Sequence, residues 1–176
     1  GYTPPNTNTG YGVAANSSLE SVTKRLRVFG TDIEDFYRSG VVVNSEGAND
    51  FGDGADGPIP TKIDESYIVG DRGLLLPQNG VEFGHDGTAA ADLRATDSLL
   101  AEFRNDGASS TPGRAIWARS AGPVSVEASA IYDSQTGVEV EPATGDNPVS
   151  AVGNEIIFGF DGPLAGANDD VNGVLV

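Results

Sequence analysis

The sequence predicts an all-β protein, a single jelly-roll or β-sandwich barrel preceded by an extended arm. Three observations carry this. Apolar residues alternate with polar ones over short stretches, the stretches number about eight to ten, and turn-forming Gly, Pro, Asn and Asp separate them. Short strands punctuated this way suit a sandwich or a jelly roll. No repeat of fixed period is apparent, which argues against propellers and solenoids.

In chain order, residues 1–18 are rich in Thr, Asn, Gly and Pro and carry little apolar surface, so they read as an extended N-terminal arm. The barrel is expected over 19–176. Val22, Leu26 and Val28 alternate with Thr23, Arg25 and Arg27, the pattern of a half-buried strand. Ile33 to Tyr37 and Val41-Val42-Val43 follow, and three branched residues in a row suit a pleated, buried surface. Residues 44–62, dense in Gly, Asp and Pro, are expected to be a long loop of the kind that is either functional or mobile. Strands are expected again at Ser66 to Val69, Gly73 to Leu76 and Val81 to Phe83, with Asn79-Gly80 as a hairpin turn.

The stretch 88–104 fits two patterns. Ala91, Leu93 and Ala95, then Leu99, Ala101 and Phe103, suit two strands, whereas its Ala, Leu, Glu and Arg content suits a helix. The β character of its surroundings favours strands. Ala115 to Arg119 and Val124 to Tyr132 alternate as strands, a hairpin is expected from Asp133 to Gly137, and Val138 to Val140, Glu155 to Phe160 and Val174 to Val176 complete the set.

Charge narrows the function. Asp and Glu total 26 against 10 Lys and Arg, a formal net charge of -16. Such self-repulsion disfavours a compact state in dilute buffer. At about 1 M salt the Debye length falls to roughly 3 Å and most of it disappears. The balance excludes a direct nucleic-acid partner, because phosphate neutralisation needs clustered cations. Lys24, Arg25 and Arg27 form the one dense basic spot and read as a strand face. With no cysteine there is no disulfide, thiol nucleophile or Cys-based metal site. No run of about 18 apolar residues suggests a membrane helix.

Catalytic signatures are weak, and no catalytic residue or cofactor is expected. The one histidine, His85, precedes Asp86 in a Gly-flanked turn, where neighbouring side chains diverge. No Gly-x-Ser-x-Gly elbow and no phosphate-cradling glycine loop is present. Paired carboxylates suit glycoside hydrolysis, but with 26 acids some pair always looks suitable, and a salt-adapted surface explains them. Asn168, Asp170 and Asn172, with Gly173, place oxygen donors at positions one, three and five of a calcium-type loop that lacks its closing Glu. Asn16-Ser17-Ser18 is a glycosylation acceptor pattern that also arises by chance. Trp117 offers a carbohydrate platform, although a lone Trp among small residues is more often a core anchor.

The acidic, lysine-poor composition resembles that of extremely halophilic archaea and their viruses. Together with the polar arm and the Gly/Asp-rich loop, the chain resembles the small major capsid proteins of haloarchaeal icosahedral viruses with an internal membrane. The resemblance is one of type over residues 19–176 and rests on no short motif. It implies a single upright jelly roll and a non-enzymatic structural role in a virion. It also implies partners: copies of itself or a related capsid protein, neighbouring capsomers and the internal viral membrane. The alternative is a haloarchaeal cell-surface or secreted module that binds sugar or protein.

Overall fold

The computed structural model describes residues 10–17, 26–45, 61–71, 73–74, 76–83, 93–105, 111–121, 124–142, 149–152, 155–157 and 172–175. Those residues form sixteen strands and no helix. Numbered in chain order, every third strand falls in the same sheet. Sheet one holds β1 (Tyr11–Ser17), β4 (Ser39–Ser45), β7 (Asn79–Phe83), β10 (Arg114–Ala121), β13 (Thr136–Pro142) and β16 (Asn172–Leu175). Sheet two holds β2 (Arg27–Phe29), β5 (Thr61–Asp64), β8 (Leu93–Thr96), β11 (Val124–Glu127) and β14 (Val149–Val152). Sheet three holds β3 (Asp32–Ile33), β6 (Tyr67–Val69), β9 (Leu99–Ala101), β12 (Ala130–Tyr132) and β15 (Glu155–Ile157). Within each sheet neighbouring strands pair in parallel. The chain therefore winds as a coil of three-strand rungs, a parallel β-helix.

The all-β expectation holds. The jelly roll does not describe these pairings, because a jelly roll is built from antiparallel Greek-key strands, and the solenoid set aside for want of a period is what forms. Period-two alternation is the same for parallel and antiparallel strands, so it could not separate them. The period itself is hidden by loops of unequal length. Sheet-one strands begin at Tyr11, Ser39, Asn79, Arg114, Thr136 and Asn172, which are unevenly spaced.

Two corners recur. Between sheets two and three the connection is two residues: Gly30-Thr31, Glu65-Ser66, Asp97-Ser98 and Ala128-Ser129. The first residue is left-handed, with φ of 56° at Gly30 and 48° at Glu65, Asp97 and Ala128. A non-glycine residue there costs roughly 1–2 kcal/mol. Stacked backbone bonds offset this strain: Glu65 N–H donates to Thr96 O at 3.2 Å and Asp97 N–H to Glu127 O at 3.2 Å. The second residue supplies an inner hydroxyl ladder. Ser66 N–H donates to Ser98 Oγ at 3.1 Å and Ser98 N–H to Ser129 Oγ at 3.2 Å. Each hydroxyl in turn donates to the carbonyl two residues back: Ser66 to Asp64, Ser98 to Thr96 and Ser129 to Glu127. Buried polar groups are thus satisfied from rung to rung. Val124 to Tyr132, expected as one strand, is cut in two by this corner.

At the end of sheet three, Asp35, Glu102 and Asp133 are again left-handed. The Asp133–Gly137 hairpin is instead this corner running into β13. Asn79-Gly80 likewise opens a parallel strand and turns nothing. Gly80 is required for space: a Cβ there would lie 2.6 Å from Ala115 O and 2.7 Å from the Phe103 ring. Gly73 to Leu76, expected as a strand, includes a turn in which Leu74 N–H donates to Asp71 O at 3.1 Å. Of the 88–104 stretch, Leu93–Thr96 and Leu99–Ala101 are strands.

Inward residues stack in columns. Val28, Ile63, Ala95 and Val126 line sheet two; Ile33, Ile68, Leu100 and Ile131 line sheet three. Val41, Val81, Ile116 and Val138 line sheet one, followed by Val43, Phe83, Ala118 and Val140. Tyr11–Ser17, expected within the free arm, pairs with β4, and Val13 and Ala15 pack on this core. Residues 1–9 and most of the 44–62 loop (46–60) lie outside the described residues.

Outer faces carry the charges. On sheet two Arg27 pairs with Asp64 at 2.8 Å and Arg94 with Glu127 at 2.9 Å. The Thr96 hydroxyl, at 2.6 Å, and then Arg27 hold the Asp64 carboxyl below its ordinary range. A folded-state value depressed in this way gives stability above the unfolded value and loses it as pH falls through the folded one. Thr96→Val is therefore expected to move the Asp64 midpoint upward in a carbon-detected NMR titration; an unchanged midpoint would remove the hydroxyl as the main cause.

Candidate functional site: the outer face of sheet one

The outer face of sheet one concentrates the side chains that sequence reading had scattered. In β10, Ile116 and Ala118 point into the core, so alternation puts Trp117 outside. That corrects the core-anchor reading of Trp117. The interior columns take residues of Val and Ile size, and the indole stands against solvent. Its ring packs against two guanidinium groups, Arg114 and Arg119, each 4.3 Å from the ring centroid. Its Nε1–H donates to Glu141 Oε1 at 2.9 Å. Cations over an aromatic face gain about 0.5–2 kcal/mol. Three contacts leave the indole little freedom.

Carboxylates from neighbouring rungs hold the arginines. Arg114 makes a two-pronged contact with Glu139. Arg119 donates to Glu82 Oε1 at 2.7 Å, and Ser39 Oγ donates to Glu82 Oε2 at 3.0 Å. Arg38 reaches the same carboxylate more loosely, at 3.5 Å. Glu82 is 2% exposed, so this buried charge faces two cations and a hydroxyl, as a buried charge must. Its oxygens are spent on holding the face together.

Beside this cluster lies a groove of about 350 Å³ lined by Tyr37, Arg38, Leu76, Pro77, Asn79 and Trp117, with Thr111. Its walls come from the corners that follow sheet three, and its floor from the start of β7. The volume sits at the lower end for small-ligand sites, which run from about 300 to 1,000 Å³. Asn79 is 4% exposed, and its Oδ1 makes no hydrogen bond among the described residues. A buried amide oxygen without a partner costs about 1–3 kcal/mol. The wall is rigid at one point: Gln78, fully buried, donates to Phe36 O at 2.6 Å and accepts Asp71 N–H at 2.8 Å.

The expected metal ligands fall largely outside the described residues. Asn172 opens β16, its backbone paired with Thr136, while Asn168 and Asp170 lie outside the described residues. Among the described residues no three His, Cys, Asp or Glu side chains cluster to hold a metal. His85 also lies outside the described residues. Sequence reading singled out Trp117 but missed Tyr37, Arg38, Asn79 and Glu82, which stand far apart in the chain. One signal was present: the triplets Ser39-Gly40-Val41, Asn79-Gly80-Val81 and Thr136-Gly137-Val138 mark the starts of three sheet-one strands, β4, β7 and β13.

No family model matches the chain, and no curated protein or solved structure matches it.

Proposed function

We propose that the chain is a binding module that takes a saccharide on the outer face of sheet one. The observation that carries this is the groove itself. It sets an aromatic wall, Tyr37, and the edge of a clamped indole, Trp117, beside the Arg38 guanidinium and the Asn79 amide. Apolar ring faces beside a few placed polar groups suit a sugar, which is itself apolar on its ring faces and polar at its rim. Preorganisation by the Arg114–Trp117–Arg119 packing keeps the ordering cost of binding low. The setting that fits the charge is salt-rich: a cell-surface, secreted or virion-surface position, with dispersed acids screened by salt.

Because Trp117 is the one tryptophan of the chain, its fluorescence reports on the groove alone. Titration with neutral and uronic-acid-containing tetrasaccharides in molar salt is expected to change that signal saturably. Tyr37→Ala is expected to weaken binding up to about tenfold, the worth of one aromatic contact at about 1.4 kcal/mol. A panel with no saturable change would overturn the reading.

A structural role in the shell of a halophilic archaeal virus we place second. The acidic composition favours it, but the jelly roll that the resemblance implies differs from the parallel pairing of these strands. Neither proposal includes catalysis.

A further inference from the structure

Resting on the saccharide reading, we infer that the groove selects a 6-deoxyhexose, a sugar with a methyl group where a common hexose carries a hydroxymethyl group. The argument is the chemistry of the wall between the two aromatic side chains. Tyr37 stands in the corner that enters β4, Leu76 and Pro77 in the corner that enters β7, and Thr111 in the stretch that enters β10. Those three strands are consecutive in sheet one. Parallel strands lie about 4.8 Å apart, so Leu76 and Pro77 stand one rung from Tyr37. Leu76 is 37% exposed, and among the described residues Phe29 alone of the large apolar side chains is more open.

This wall has little to offer a hydroxyl group. Proline carries no N–H. The Gln78 side chain is spent on Phe36 O and Asp71 N–H, and Gln78 O accepts Arg114 N–H at 3.0 Å. Asn79 N–H donates to Arg38 O at 2.9 Å. A sugar ring laid on Tyr37 turns part of its rim towards Leu76 and Pro77. A hydroxymethyl group there loses water without gaining a partner, whereas a methyl group gains by leaving water. One buried methyl group is worth about fourfold in affinity, and the stranded hydroxyl of the rival sugar widens the gap. The contact is apolar, so molar salt, which screens charge, leaves it intact.

The test uses two matched pairs of methyl glycosides in roughly 1 M salt, where the chain's own repulsion is screened. One pair is methyl β-D-quinovoside and methyl β-D-glucoside; the other is methyl β-D-fucoside and methyl β-D-galactoside. Within each pair only the hydroxyl at C6 differs. Binding is read by the indole N–H resonance of Trp117, the one tryptophan, in the full chain and in the variants Leu76→Ser and Leu76→Met. Leu76 is exposed, so neither substitution threatens the fold. In a pair that binds, the native chain is expected to prefer the deoxy member by about fourfold or more. Leu76→Ser is expected to bring that ratio close to one, and Leu76→Met, which keeps an apolar side chain of similar volume, to preserve it. Equal affinities within every pair that binds, a ratio that survives Leu76→Ser, or a ratio lost in Leu76→Met overturns the inference and leaves the sugar-binding reading standing. Binding of the tetrasaccharides but of none of these glycosides also overturns the inference alone. Silence from both sets overturns both readings.

Discussion

Replacing Arg104 with leucine is expected to lower the stability of the chain by about 3–5 kcal/mol, the cost of breaking a buried ion pair by removing one partner. Arg104 Nε lies 2.9 Å from Asp133 Oδ1, and their side chains are 8% and 1% exposed. Asp133 occupies the left-handed corner before β13, with φ of 51°, and its carboxylate is buried. Most of the loss comes from a desolvated charge left without its counter-charge, so it does not measure the worth of the pair. Adding Asp133→Asn to Arg104→Leu removes the stranded charge, so the double variant is expected to recover a good part of the loss. Urea unfolding in molar salt, followed by circular dichroism, measures each step. A single-variant loss below about 1 kcal/mol would show that the corner lets Asp133 reach solvent.

Leu100→Ala is expected to cost about 2–5 kcal/mol, in the upper half of that range. Leu100 is fully buried in the sheet-three column, between Ile68 on β6 and Ile131 on β12. Parallel rungs are held about 4.8 Å apart by their backbone bonds. The rungs on either side therefore cannot close on the space, and a cavity that persists costs more than one that collapses. Leu99, half-buried on the same strand, serves as the comparison: Leu99→Ala is expected to cost much less. Equal losses at the two positions would mean that inward and outward residues had been wrongly separated.

How much of this was legible is clearest at particular residues. Alternation placed Val28, Val41, Val43, Val81 and Phe83 on strands, and all are core. It also placed Leu93 and Ala95 on one strand, whose inward side they share. Turn chemistry misled at Asn79-Gly80 and Thr136-Gly137. There glycine follows a polar residue, as in a hairpin, but at Gly80 it is needed because the interior leaves no room for a Cβ. The corner Asp97-Ser98 was invisible for a related reason. Its left-handed φ sits on aspartate, and its serine reads as a polar surface residue while its hydroxyl is buried in a ladder. Stacking neighbours make both acceptable, and neighbours of that kind are thirty or more positions away in the chain.

The groove follows the same division. Trp117, Arg114 and Arg119 could be seen together because they are close in sequence. Glu82, which bridges Arg119, Arg38 and Ser39, gives no local sign of its role.

The sequence by itself determined that the chain is β, which residues alternate inward, and that its net charge is strongly negative. Those are properties of side chains and of their immediate spacing. Tertiary structure alone decided that the strands run parallel, that they wind as a coil, and that one outer face gathers Tyr37, Arg38, Asn79 and Trp117. The physical reason is that the rung-to-rung hydrogen bonds join backbone groups common to nearly every residue. Pairing therefore leaves little trace in residue identity, and loops of unequal length hide the spacing that would have revealed it.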